Sequence, residues 1–238
     1  MQLPKYYSGA RRRNMDWNAE KLLLYAVTDR TWEKAQTLFE QIESALKGGV
    51  SCVQLREKEM EEKELLEEAL KIGELCKSYQ VPFLINDRVD IALKCNADGV
   101  HLGQKDMSIS EARKILGKDK IIGATAKTVE QAKKAEAEGA DYLGVGAVFG
   151  STTKKDAIPI TKERLKEIAD SVSIPIVAIG GINRGNIAKL YGTGIHGVAV
   201  VSGIFAAENI EEECRMLCKE SGRIVRSNKS IEYCKNEL

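Results

Sequence analysis

Three cations and two carboxylates stand just beyond short apolar runs of the chain. Arg56 and Lys58 follow "VSCVQL" (50–55), Lys154 follows "DYLGVGAV" (141–148), Asp87 follows "PFLIN" (82–86), and Asp106 follows "DGVHL" (98–102). Arginine offers phosphate oxygens a bidentate fork and lysine a point charge. Carboxylates beside such cations repel the same anion unless a divalent cation lies between. Mg²⁺ meets that need, taking one or two carboxylates together with phosphate oxygens. Brought together, the five residues suit a diphosphate bound with Mg²⁺.

A second anion site is suggested further along. "IGGI" carries Gly180 and Gly181, and "VVSGI" carries Ser202 and Gly203. Glycine backbone N–H groups at such places bind phosphate, and the hydroxyls of Ser151 and Thr153 add donors. Two anion sites imply two phosphorylated substrates and group transfer between them. No Ser–His or Cys–His arrangement stands out, so a protein nucleophile is not indicated. Blander readings stay open: Arg56 and Lys58 as a solvated helix face, Asp87 and Asp106 as helix N-caps, Gly180–Gly181 as a tight turn, Ser202 as a cap, and His101 as a packed, hydrogen-bonded histidine.

These residues need elements that converge. Eight apolar runs alternate with amphipathic stretches: 22–27, 50–55, 82–86, 98–102, 120–125, 141–148, 174–180 and 196–201. Runs without polar alternation suit parallel strands covered on both faces. Between them, residues 57–79 place Leu65, Leu66, Ala69, Ile72 and Leu75 on one helical face, and "TVEQAKKAEAEGA" opens with a Thr128 cap and closes at Gly139. Strict alternation predicts a single-domain α/β fold, a (β/α)₈ TIM barrel. A doubly wound open sheet would want G-x-G-x-x-G after the first strand, and "AVTDRT" lacks it. In a (β/α)₈ barrel the loops after the strands meet at one mouth, which brings the cations, carboxylates and glycines together. The boundaries expected are an N-terminal extension over 1–21, the barrel over 22–221 and a tail over 222–238.

The 238 residues are 43% hydrophobic and 30% charged with a net charge of +1. No global field points to nucleic acid or a membrane surface. "RRR" at 11–13 reads as part of a solvated tail, and no apolar run reaches membrane-spanning length. Six scattered cysteines without a C-x-x-C pair fit a cytoplasmic protein with reduced thiols. Cys214 and Cys218, one helical turn apart, lack further ligands nearby for a metal. The partners expected are small molecules, with neither nucleic acid nor membrane, and a homo-oligomer is left open.

At these residues the sequence resembles the thiamine-phosphate synthase family. The matching stretches run in the family's order from about Leu22 to Phe205: "YAVTDR", "VQLREK", "LINDRVDIAL", "ADGVHLGQKDM", "DYLGVGAVF", "TTKKDA", "IPIVAIGGI" and "GVAVVSGI". "QLREK", "NDR" and "HLGQ-x-D" together are specific; "IGGI" alone is not. The resemblance implies a (β/α)₈ barrel that uses Mg²⁺ and joins hydroxymethylpyrimidine diphosphate to a thiazole phosphate, releasing diphosphate. It places Gln54, Leu55, Arg56, Glu57, Lys58, Asn86, Thr125 and Lys154 around the pyrimidine diphosphate, with Arg56, Lys58 and Lys154 catalytic. It gives Asp87 and Asp106 to the metal. Ser151, Thr152, Thr153, Gly181, Val201 and Ser202 fall to the thiazole phosphate. The chain departs from the family's pattern at Ala147 and Gly150, where prolines are usual, and at Ser151, Thr125 and Lys127, where threonine, serine and histidine are usual. A related barrel that isomerises the thiazole phosphate, and a phosphate-binding scaffold without activity, are the alternatives.

Overall fold

The computed structural model describes residues 17–33, 35–150 and 159–235, with side chains through Asn228. Eight parallel strands close on themselves in chain order: β1 Leu24–Val27, β2 Cys52–Leu55, β3 Phe83–Asn86, β4 Gly99–Leu102, β5 Ile121–Ala126, β6 Tyr142–Gly146, β7 Ile176–Ile179 and β8 Gly197–Val200. The barrel closes where Tyr25 of β1 sits beside Ala199 of β8. The TIM-barrel expectation is met, and every apolar run singled out in the sequence supplies one strand.

Strand alternation divides each strand between two cores. Leu24, Ala26, Val53, Leu55, Phe83, Ile85, Val100 and Leu102 belong to the large outer cluster beneath the helices. Tyr25, Val27, Cys52, Leu84, Ile121, Tyr142, Val177 and Ala199 fill the inside of the barrel. Burial on both faces explains the near-continuous apolar runs.

The helices are α1 Leu38–Lys47, α2 Glu62–Ser78, α3 Val89–Lys94, α4 Ile109–Leu116, α5 Val129–Ala137, α6 Lys162–Asp170, α7 Ser202–Phe205 and α8 Ile210–Lys235. Their starts are encoded locally. Thr37 and Ser108 form reciprocal capping boxes with Glu40 and Glu111, while Thr128 and Thr161 cap α5 and α6. On α2, Leu65, Ala69, Ile72 and Cys76 are buried, and Leu66 and Leu75 pack at the margin of the same cluster. Between β7 and β8 the expected helix is reduced to a 3₁₀ turn over Ile187–Leu190. Gly185, Gly192 and Gly194 bracket it, and glycine is a poor helix former.

Both ends of the barrel differ from the expected boundaries. Trp17, placed by sequence in the extension, packs on Tyr142 with ring centroids 5.9 Å apart and closes the inner core from below. The final helix does not stop near 221. Ser221 Oγ donates to the Leu23 carbonyl at 2.6 Å, Ile224 is fully buried, and Asn228 Nδ2 donates to the Ile195 carbonyl at 2.9 Å. These contacts bind α8 across the N-terminal ends of β1 and β8, so the helix continues to Lys235. "RRR" lies outside the described residues. Burial pushes the Cys214 thiol up to about 12, and among the described residues no group of three or more His, Cys, Asp or Glu is arranged to hold a metal. No helix among them is long and apolar enough to cross a membrane.

Candidate active site

The C-terminal ends of the strands surround one cavity. Its wall includes Gln54 and Arg56 from β2 and its loop, Asn86 from β3, Thr125 from β5, and Gly181, Val201 and Ser202 from the loops after β7 and β8. Seven of the residues proposed from sequence therefore meet at one opening. Ser151, Thr152, Thr153 and Lys154 lie outside the described residues.

Arg56 is held in place by its backbone, whose N–H donates to Thr28 Oγ1 at 2.9 Å. Its Nη1 is 3.9 Å from Asp29 Oδ2. The buried Nε makes no hydrogen bond among the described residues, which leaves a charged donor available in the wall. Leu55 is buried in the outer core. Glu57 turns to Arg30, with Oε1 2.8 Å from Nε, and is not part of the cavity wall. Arg30 also pairs with Glu33 and Glu68. Glu57 thus ties the loop after β2 to the loop after β1.

Lys58 and the two aspartates are not part of that wall: Asp87 follows the wall residue Asn86, and Asp106 lines a separate cleft with Gly103, Gln104 and Ser108. The bland reading of both as caps does not hold: α3 begins from Arg88 without a side-chain cap, and α4 is capped by Ser108. Asp87 has a left-handed backbone, φ 62°, fixed by its N–H donating to the His101 carbonyl at 2.9 Å. Asp106 Oδ2 accepts from Gly103 N–H at 2.6 Å, and a Cβ at Gly103 would lie only 2.8 Å from that oxygen. The Asp87 carboxyl is pushed up to about 6, first by burial and then by the hydrogen bond and charge of Asp106; Lys58 and Asn86 pull it the other way. Lys58 Nζ is 3.9 Å from Asp87 Oδ2. A half-buried carboxylate facing an exposed one beside a lysine forms a donor set short of positive charge. A hard divalent cation that completes its shell with waters and phosphate oxygens fits it.

The opposite side is made of backbone. Gly180 and Gly181 have φ of 106° and 64°. A Cβ on Gly180 would sit 2.5 Å from Ala147 Cα, and one on Gly181 would sit 2.7 Å from the Phe149 carbonyl oxygen. Asn186 Nδ2 donates to the Gly181 carbonyl at 2.8 Å and sets the peptide plane. Ser202 is the first residue of α7 rather than its cap.

Sequence reasoning passed over Tyr25 and Tyr142 and left His101 among the packed histidines, yet Tyr25 and His101 line the cavity. His101 Nδ1 is 2.9 Å from Tyr142 Oη and Nε2 is 3.1 Å from Thr125 Oγ1. A signal was present in the register: Gly123 sits directly beside Tyr142 on the neighbouring strand, and a Cβ there would overlap the phenol ring at 2.1 Å.

Comparison with known proteins converges on one description. A family model described as thiamine monophosphate synthase matches residues 24–204. A thiamine-phosphate synthase of Clostridium acetobutylicum is 50% identical over 205 residues, covering 86% of this chain and 95% of that protein. The thiamine-phosphate synthase of Methanobrevibacter smithii is 50% identical over 199 residues, covering 84% and 95%. The solved structure of thiamine phosphate pyrophosphorylase from Pyrococcus furiosus superposes with a TM-score of 0.81 at 39% identity, covering 87% of this chain and 98% of that one.

Proposed function

We propose how this chain works from one premise: it belongs to the thiamine monophosphate synthase family. It is a transferase, a thiamine-phosphate synthase, joining hydroxymethylpyrimidine diphosphate to a thiazole phosphate with release of diphosphate. The observation that carries the assignment of roles is the Asp87–Asp106 pair beside Lys58, next to a cavity walled by Arg56.

The thiazole nitrogen attacks the pyrimidine methylene carbon with its lone pair. The C–N bond forms as the C–O bond to diphosphate breaks, and the electron pair leaves with the diphosphate. No proton has to move. What the residues must do is hold the two rings in line and neutralise the leaving group as its charge grows. Arg56 and Lys58 serve that end from the loop after β2, with Lys154 from the loop after β6. Asp87 and Asp106 would hold Mg²⁺, which would add charge neutralisation of the leaving diphosphate. Gln54, Asn86 and Thr125 orient the pyrimidine. Gly181, Val201 and Ser202, with Ser151, Thr152 and Thr153, hold the thiazole phosphate.

An isomerase acting on thiazole phosphate alone would have no use for a cation site, and the paired carboxylates favour the synthase. The free cysteines among the described residues fit the cytoplasmic location in this reading. The test is direct. Purified protein with both substrates and Mg²⁺ yields thiamine phosphate and diphosphate in equal amounts. No product, with both substrates shown by calorimetry to bind, contradicts the assignment.

A further inference from the structure

Five polar side chains run in one line across the inside of the barrel. Gln54 Nε2 donates to Tyr25 Oη. Tyr25 Oη is 2.9 Å from Tyr142 Oη, which is 2.9 Å from His101 Nδ1, and His101 Nε2 is 3.1 Å from Thr125 Oγ1. Both tyrosines are buried, at 1% and 0% exposure, so each hydroxyl proton must find its acceptor within the line.

With the Gln54 amide nitrogen turned to Tyr25 Oη, counting protons leaves one arrangement. Tyr25 already accepts from Gln54, so its own proton has only Tyr142 to go to. Tyr142 then accepts from Tyr25, and its proton has only His101 Nδ1. A proton on His101 Nδ1 would orphan one phenol proton in the buried interior. His101 is therefore the tautomer protonated at Nε2, and that N–H donates to Thr125. Thr125 Oγ1 thus accepts from His101, and its O–H is left to donate. At the other end Gln54 has turned its amide nitrogen inward, so its carbonyl is left to accept. Burial pushes both phenols well above their ordinary value, which keeps both protons in place.

We propose that Tyr25, Tyr142 and His101 are positioning residues forming a one-way hydrogen-bond relay that fixes Gln54 as an acceptor and Thr125 as a donor toward the bound ring. The relay selects a flat heteroaromatic ring with an amino group facing Gln54 and a ring nitrogen facing Thr125. This choice of ring edge rests on the synthase reading above; the direction of the relay does not. A ring carrying an oxo group in place of the amine brings an acceptor against an acceptor, and a site built to hydrogen-bond one pattern rejects the other strongly.

The direction is measured on the ligand-free protein. With only two histidines in the chain, ¹⁵N-labelled imidazoles are assigned by the signals lost in His101→Asn. At about pH 8, above the ordinary imidazole range near 6.5, His101 shows a bare Nδ1 and a protonated Nε2. A proton on Nδ1 overturns the relay, whatever the enzyme assay gives. In Tyr142→Phe, checked by thermal melting, the two tautomers mix; an unchanged pure Nε2–H tautomer removes Tyr142 from the relay. The ring edge is measured by calorimetric binding of pyrimidine diphosphates without the second substrate. Wild type prefers the amino ring over its oxo analogue by roughly 100-fold. In Tyr25→Phe, where the Gln54 amide is free to turn, the ratio falls to roughly fivefold or less. A ratio as large as in wild type contradicts the proposal, while a failed synthesis assay would bear only on the reading it rests on.

Discussion

On the β2–β4 side of the mouth, ionic side chains face one another: Arg56 near Asp29, Lys58 near Asp87, and Asp87 against Asp106. On the β7–β8 side the chain offers glycine backbone, with Gly180 and Gly181 in left-handed conformations too tight for a Cβ. Both sides suit anions, by different physics. The ionic side responds to charge and pH, because its carboxylates repel until a cation joins them. The backbone side responds to shape, because its donors are fixed by φ and by the loop at 147–150. A reaction that sheds diphosphate while keeping the other phosphate passive needs this asymmetry, with strong charge neutralisation only where charge develops.

The sharpest way to break the ionic side is Asp87→Asn. Asparagine tolerates a left-handed backbone, so the fold survives. The rate of thiamine phosphate formation falls by roughly 10³-fold or more, consistent with losing a metal-held charge in the transition state. Stability moves the other way. The Asp87 carboxyl sits at about 6 against an ordinary 3.8. The folded state thus holds that proton more tightly than the unfolded chain, and stability is lost as pH rises from about 4 through 6. Asparagine removes that cost, so the variant melts at or above wild type at pH 7.5 without Mg²⁺. A lower melting point would contradict this account of the pair.

Arg56→Gln should cost roughly 10²–10³ in kcat, with KM for the thiazole phosphate little changed. Gly181→Ala tests the other side. Its Cβ meets the Phe149 carbonyl at 2.7 Å with φ at 64°, so KM for the thiazole phosphate rises on the order of tenfold or more. Pyrimidine diphosphate binding measured by calorimetry stays near wild type, and the unfolding free energy falls by about 1–3 kcal/mol through strain. The smallest effect is graded by pH. Mg²⁺ affinity in the presence of diphosphate declines below pH 6, by at most about tenfold per unit, because the proton on Asp87 competes with the cation. In Gly181→Ala that profile is unchanged, which separates the two sides.

Most of this architecture is written locally. Thr37, Ser108, Thr128 and Thr161 announce their helices, and apolar runs buried on both faces announce the strands. Arg56 was legible as a wall residue because position after a strand is enough to assign it to the mouth. What was not legible depends on pairing across the barrel. Tyr25 and Tyr142 look like ordinary strand residues until Gly123 is seen beside Tyr142, making room for its ring. Glu57 lies within "QLREK", yet only the approach of Arg30, 27 positions earlier, turns it away from the cavity. The reach of α8 past 221 is likewise fixed by distant partners, the Leu23 and Ile195 carbonyls.

The division of the mouth is tested most directly by a crystal structure with thiamine phosphate, diphosphate and Mg²⁺ bound. The account predicts diphosphate and the metal against Arg56, Lys58, Asp87 and Asp106, with the phosphate of the thiazole arm against Gly181 and Ser202. Diphosphate seated on the glycine loops, or a metal bound without Asp87 and Asp106, would contradict it.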